Sequence, residues 1–109
     1  MNHNVYEKLK EVARAGGITN YTEVGKICGL NMESPADRNE IAAILDDINK
    51  HERQQGRPMI SALVVRQDKN MPGAGFFECA RGLGRYQGSD DLVFWAHELT
   101  ELHQYWQSH

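Results

Sequence analysis

The chain of 109 residues has no long hydrophobic run, no excess of basic charge and few cysteines. No apolar run approaches the roughly 18 residues that span a bilayer, which excludes a transmembrane helix. The first residues do not combine a basic region with an apolar one, so no secretory signal is predicted. Twelve basic residues against fifteen acidic ones give a formal net charge of −3. This balance excludes a strongly basic tail for nucleic acid, but not a local basic patch.

The two cysteines are Cys28 and Cys79. Their count allows one disulfide, but 40% hydrophobic residues and no export signal favour two free thiols in a cytoplasmic protein. The run Gly73-Ala74-Gly75 is a Gly-x-Gly, yet it matches neither the dinucleotide fingerprint nor a phosphate loop. We predict that this run forms a tight turn that places Phe76 and Phe77 in the core, the alternative being that they contact a partner. No cofactor and no metal are predicted.

Hydrophobic periodicity and capping residues predict a single domain, residues 1–109, that is mainly α-helical with a small β element. The predicted elements are helix 5–15, a short extended step at 18–19, helix 21–28 after an Asn20 cap, helix 35–54 after a Ser34 cap, strand 59–65, helix 76–83 and a C-terminal helix at about 90–107. In the C-terminal helix the predicted buried stripe consists of Leu92, Trp95, Ala96, Leu99, Leu102 and Trp106. This order is that of a winged helix-turn-helix with an added C-terminal helix.

Three segments resemble the DNA-binding region of alkylguanine-DNA alkyltransferases and alkyltransferase-like proteins. Residues 18–24, I-T-N-Y-T-E-V, resemble the V-T-T-Y-G-E-I-A segment that opens their helix-turn-helix. Residues 34–39 are similar in placement to their P-R-A-V-G start of the recognition helix, and residues 57–65 lie where they carry I-P-C-H-R-V-V. The resemblance covers residues 5–84 with gaps, and the runs 37–41 and 57–59 also resemble a small bacterial family without an assigned activity.

The resemblance implies DNA binding but not alkyl transfer. In the family, a tyrosine and a recognition-helix arginine contact and displace the target nucleotide, and their counterparts would be Tyr21 and Arg38. Alkyl transfer requires a cysteine after the proline, followed by a histidine. Here Met59 follows Pro58, and no thiolate nucleophile is available at that position. We therefore predict a non-enzymatic protein.

The start of the long helix is the first candidate nucleic-acid site. Exposed amides and the positive dipole end of a helix suit phosphate, and an arginine adds a planar donor fork for phosphate or guanine. The candidate residues are Tyr21, Ser34, Arg38 and Asn39. The structural alternative is that Tyr21 packs at the helix start while Arg38 pairs with Asp37 or Glu40.

A basic segment follows the long helix. Residues 57–85 carry five basic and two acidic groups, whereas residues 86–109 carry four acidic groups and no lysine or arginine. The basic residues Arg57, Arg66, Lys69, Arg81 and Arg85 are predicted to form a rim that tracks phosphates, the alternative being an ordinary solvated surface. Asp46, Asp47 and Glu52 on the long helix oppose deeper groove binding, and the first two are interpreted as a solvated face.

Two other classes of function remain as alternatives. The acidic C-terminal helix, with Phe94, Tyr105 and Trp106, could make the protein an interaction module, a dimerising adaptor or a homodimer. A metal-dependent hydrolase using His97, Glu101 and His103 is less favoured, because two histidine ligands on a helix need i, i+4 spacing and here they are six residues apart.

Overall fold

The computed structural model describes residues 1–109 and consists of five α-helices around a short central segment. The elements are α1 (His3–Arg14), β1 (Thr19–Asn20), α2 (Tyr21–Cys28), α3 (Pro35–Gln54), a 3₁₀ helix (Ile60–Leu63), β2 (Val64–Val65), α4 (Ala74–Gly82) and α5 (Asp91–Gln107). The fold is mainly helical with a small β element, as the sequence predicts. None of the helices is long and apolar enough to cross a membrane.

Local capping chemistry sets the helix starts. The side chains of Asn20, Ser34 and Asp90 accept hydrogen bonds from the backbone amides of Glu23, Asp37 and Val93, each three residues further on. Since α3 and α5 begin where these caps predict, their predicted bounds are confirmed. Two other helices start earlier than predicted. Asn2 caps α1 so that it begins at His3, and α4 begins at Ala74.

The predicted strand 59–65 is wrong for most of its length. Residues 60–63 form a 3₁₀ helix, and only Val64 and Val65 are extended. This segment lies at the centre of the molecule, where Ile60, Ala62 and Leu63 have no solvent exposure. A continuous apolar run fits a buried strand and a buried helical turn equally well, so periodicity could not separate them.

The β element is smaller than a wing. β1 and β2 pair in parallel, with Thr19 opposite Val64 and Asn20 opposite Val65. The turn 67–70 that follows is closed by a single antiparallel bridge between Arg66 and Met71. This arrangement does not confirm the winged helix, which stays a proposal.

The core includes residues from every helix, and four of the six residues in the predicted stripe of α5 lie in it or pack against it. Leu102 and Trp106 are buried as expected, but Leu92 is 57% exposed and Ala96 is also exposed. Glu98 takes their place on the buried face, because its carboxylate binds groups in the interior. Phe76 and Phe77 lie in the core as predicted, but the predicted tight turn at Gly73-Ala74-Gly75 is wrong, because Gly73 is the N-cap of α4 and the next two residues form its first turn. Both cysteines are free, and each is half-buried.

Candidate nucleic-acid interface

A cleft of about 410 Å³ opens between the start of α2, the first half of α3 and the loop that leads into α4. Its lining consists of Tyr21, Met32, Arg38, Ile41, Ala42, Leu45, Asp46, Ser61, Arg66, Gly73, Gly75 and Phe76. The volume lies within the range of roughly 300–1,000 Å³ that is usual for small-molecule sites. Three of the residues predicted to bind nucleic acid, Tyr21, Arg38 and Arg66, therefore lie around one cavity.

Helix α3 supplies one wall of the cleft. Arg38, Ala42 and Asp46 are spaced four residues apart, so they share one helix face, and all three line the cleft. Ile41 and Leu45, which lie beside that face, are buried and connect the cleft wall to the core. Ser34 caps this helix with its hydroxyl oxygen at 3.4 Å from the Asp37 amide, so it orients the helix start on which Arg38 stands.

Tyr21 joins the opposite side of the cleft to the loop before α4. It is the first residue of α2, and its hydroxyl oxygen accepts a hydrogen bond from the Gly73 amide at 2.9 Å. Burial raises the pKa of Tyr21, so the hydroxyl stays protonated at neutral pH and retains a proton to donate. Tyr21 thus both packs against the core and lines the cleft.

Asp46 is a half-buried carboxylate inside the cleft. It forms no ion pair with any lysine, arginine or histidine, although Lys50 lies close enough to influence it. Burial raises the pKa of Asp46, and a hydrogen bond from the Cys79 thiol partly offsets that effect. Burial and the neighbouring Asp46 raise the pKa of Cys79 to about 11, so this cysteine stays a thiol and is not an activated nucleophile.

A buried network of hydrogen bonds lies beneath the cleft, beside Asp46. The Asn49 side chain donates to the Ser61 hydroxyl at 2.7 Å, and its carbonyl oxygen accepts from the Ser61 amide at 3.2 Å. Asn49 and Ser61 are 1% and 3% exposed, so these bonds satisfy groups that water does not reach. The network fixes α3 against the central 3₁₀ helix directly below the cleft.

The Asp46→Asn variant is expected to be more stable than the wild type at neutral pH. The folded-state pKa of Asp46 lies above its unfolded value of about 3.9. Between these two pKa values the folded protein binds more protons than the unfolded chain, so it loses stability as the pH rises from the lower to the higher value. The cost is fully present above the folded pKa and absent below the unfolded one. Urea unfolding should therefore show a gain in stability at pH 7 that disappears towards pH 3. A variant less stable than the wild type at pH 7 would contradict this assignment.

The predicted basic residues have different surroundings in the structure. Arg38 is exposed and makes neither an ion pair nor a side-chain hydrogen bond, so the expected alternative of pairing with Asp37 or Glu40 does not occur. Asp37 instead accepts from the Asn31 amide at 2.8 Å. Arg66 is bound in a fork by Asp68, with Nε and Nη2 at 3.1 and 2.8 Å from its oxygens.

Two of the predicted arginines belong to partly buried ion pairs. Arg57 binds the fully buried Glu52 through two hydrogen bonds of 2.7 and 3.2 Å, and it also donates to the Tyr6 hydroxyl. Arg85 binds the buried Glu98 in the same manner, with Nε 3.0 Å from the carboxylate. Their guanidinium groups compensate the charges of interior carboxylates. We therefore assign to both arginines a role in the stability of the fold and none in the candidate interface.

The remaining predicted residues lie on the surface outside the cleft. Asn39 and Lys69 are exposed, and Lys69 belongs to the turn 67–70 beside Arg66. Arg81 lies over the ring of Tyr86 at 4.2 Å and donates to the Gly88 carbonyl at 3.0 Å. Asn39 directly follows Arg38, and Lys69 lies three residues after Arg66, so both are near lining residues in the chain.

Sequence reasoning missed Asp46 and Ser61 as lining residues. The interpretation of Asp46 as part of a solvated face is wrong, because Asp46 is half-buried and lines the cleft, whereas Asp47 is exposed and lies 3.5 Å from the N-terminal ammonium group. The four-residue spacing from Arg38 through Ala42 was the signal that could have placed Asp46 on the binding face. No comparable pattern singles out Ser61.

Several residues of the two alternative functions make contacts within the chain, whereas His97 is exposed. His103 Nε2 lies 2.8 Å from the Gly17 carbonyl, and Glu101 lies 3.5 Å from Arg85. No three His, Cys, Asp or Glu side chains come together as a ligand set. On α5, Trp106 is buried, and Phe94 stacks on Tyr86 with ring centroids 4.4 Å apart.

The cleft therefore combines a free arginine, a second arginine, a tyrosine that ties two elements together and an unpaired carboxylate. Comparison of the chain with protein-family models, with curated proteins and with solved structures finds no match. The function is therefore inferred from the geometry of the cleft.

Proposed function

We propose that the protein binds nucleic acid, most simply DNA, without catalysing a reaction, and that it does so through the surface around the cleft. The observation that carries the proposal is the joint position of Tyr21, Arg38 and Arg66 on one cavity. Arg38 supports it further, because an exposed arginine without an acidic partner keeps all its donors for a ligand.

The proposed contacts follow from the helix and turn that present them. Arg38 stands at the start of α3, where the helix dipole favours an anion. Arg66 precedes the turn 67–70 and Lys69 lies within it, and both can reach a second stretch of the nucleic-acid backbone. Arg66 keeps one nitrogen of its guanidinium outside the fork with Asp68, so it can bind phosphate without losing that pair.

The acidic residues of α3 oppose this surface less than their number suggests. Glu52 is fully buried and its charge is compensated by Arg57. Asp47 lies near the N-terminal ammonium group. Asp46 alone faces the cleft, and there it can accept hydrogen bonds from a ligand.

A protein-interaction module is the second candidate. It is favoured by Leu92 and Val93 at the start of α5, which are 57% and 51% exposed. Nucleic acid ranks first because the cleft joins several functional groups, whereas this patch consists of two neighbouring side chains.

We expect the wild-type protein to bind fluorescently labelled DNA at low salt and to lose affinity steeply as salt is added. Three phosphate contacts, from Arg38, Arg66 and Lys69, correspond to a fall of roughly 40-fold between about 50 and 200 mM salt. Fluorescence anisotropy with duplex and single-stranded DNA measures both affinities. Absence of binding to either form at low salt would reject the proposed function.

A further inference from the structure

The carboxylate of Asp46 has no role in binding phosphate, yet it lies within the surface proposed to do so. A carboxylate repels phosphate, so its place in a cleft rimmed by two arginines indicates a ligand with two chemically different ends. One end is anionic and suits Arg38 and Arg66. The other end must offer N–H donors, because an ionised carboxylate only accepts hydrogen bonds.

The body of the ligand is indicated by the apolar part of the lining. Ile41, Leu45 and Phe76 are buried residues that line the cleft, and Tyr21 lines the same cavity. Flat aromatic rings pack well against such surfaces, and base stacking on aromatic side chains is a general mode of single-strand recognition. A nucleotide combines a flat ring, N–H donors and a phosphate at a volume that fits the cavity.

The donor pattern separates the four bases. Guanine carries two neighbouring donors, the ring N1–H and the 2-amino group, which match the two oxygens of a carboxylate. Adenine and cytosine place an amino group beside an acceptor nitrogen, and thymine places its single N–H between two carbonyl oxygens. The last three bases therefore bring at least one lone pair against the carboxylate, which costs energy in a partly desolvated site.

We propose that the cleft binds one unpaired guanine nucleotide, with the Asp46 carboxylate accepting from the base and Arg38 and Arg66 binding the phosphate. The assignment of the two arginines rests on the proposed function, whereas that of Asp46 rests on the cleft itself. Guanine in a single strand and free guanosine monophosphate share this chemistry, so both are candidate sources.

The ionisation of Asp46 agrees with this role. Burial raises its pKa in the free protein, because the Cys79 thiol and the nearby Lys50 only partly compensate the buried charge. Two N–H donors from a base would compensate it further and stabilise the charged form. The carboxylate is thus less well satisfied in the free protein than in the complex.

The test compares guanine with hypoxanthine, which differs only by lacking the 2-amino group. Fluorescence anisotropy measures the affinity of the protein for a short oligothymidine strand that contains one guanine or one hypoxanthine. Calorimetry measures its affinity for the mononucleotides dGMP and dIMP. We expect the wild type to prefer guanine by about tenfold, the value of a hydrogen bond to a charged group. Asp46→Asn should reduce the preference to less than about threefold, while Asp47→Asn, its exposed neighbour on α3, should retain it.

The outcomes separate this inference from the proposed function. If strands bind but guanine and hypoxanthine bind equally, or if Asp46→Asn keeps the preference, the assignment of Asp46 is wrong and nucleic-acid binding stands. A preference for guanine in the strands alone identifies a single strand as the source of the ligand, and the same preference in the mononucleotides identifies a free nucleotide as a second source. If no strand binds at low salt, the proposed function fails, and the titration with mononucleotides alone decides whether the cleft binds guanine. Preference for dGMP would then support the site, and equal or absent binding would overturn it.

Discussion

Replacing Glu98 with alanine is expected to lower the free energy of unfolding by about 3–5 kcal/mol, as is usual when one partner of a buried ion pair is removed. Glu98 is 3% exposed, and its carboxylate accepts from Arg85 and, at 3.2 Å, from the backbone amide of Met59. The variant would leave a partly buried guanidinium group without its counter-charge and a buried amide without an acceptor. The first loss acts on the contact between α5 and the connection that precedes it, and the second on the contact between α5 and the central segment.

Glu101→Ala is the matched control, because it removes a second carboxylate from the same arginine on the same helix. Glu101 is 61% exposed and lies 3.5 Å from Arg85, so its loss should cost only about 0.2–1 kcal/mol. Urea unfolding followed by circular dichroism at neutral pH compares the two variants with the wild type. Equal losses for both variants would show that burial of Glu98 does not determine its contribution.

The helix bounds could be predicted because they depend on residues close to one another in the chain. Asn20, Ser34 and Asp90 each cap an amide three residues away, and this short-range chemistry is visible in the sequence. Asn2 caps α1 by the same rule, with its side chain 3.0 Å from the Val5 amide, but the apolar pattern that predicts this helix starts later, at Val5.

The central segment could not be predicted because its partners are distant in sequence. The backbone of residues 59–62 is satisfied by Glu98, Asn49 and Trp95, whose side chains come from α5 and α3. Such side-chain partners replace the neighbouring strands that an extended segment would require. The apolar pattern of residues 59–65 reports burial and contains no information about these partners.

For the site, charge and resemblance selected two kinds of residue. Some of them line the cleft, and others have a different role. Arg38 and Arg66 line the cleft, whereas Arg57 and Arg85 bind buried carboxylates. All four are equivalent in a count of basic residues. They differ in whether an acidic side chain from a distant or buried position reaches them, and that depends on packing.

Removing both cleft arginines, by Arg38→Ala together with Arg66→Ala, is expected to weaken DNA binding about 100-fold at low salt, since each charged contact contributes roughly 1.5 kcal/mol. The control is the double variant Arg14→Ala with Arg53→Ala. It removes the same charge from two exposed arginines that do not line the cleft. Since both double variants lose the same net charge, any non-specific attraction falls equally in the two, and the control should retain most of the affinity that depends on the cleft.

The dependence of DNA affinity on salt in these two double variants tests the role of the cleft most directly. A plot of the logarithm of affinity against the logarithm of salt concentration gives the number of phosphate contacts as its slope. We expect the slope of the Arg38 and Arg66 double variant to fall by about two relative to the wild type, and that of the control to stay unchanged. Parallel plots for the wild type and the cleft variant, with equal affinities, would show that nucleic acid does not bind at this cleft.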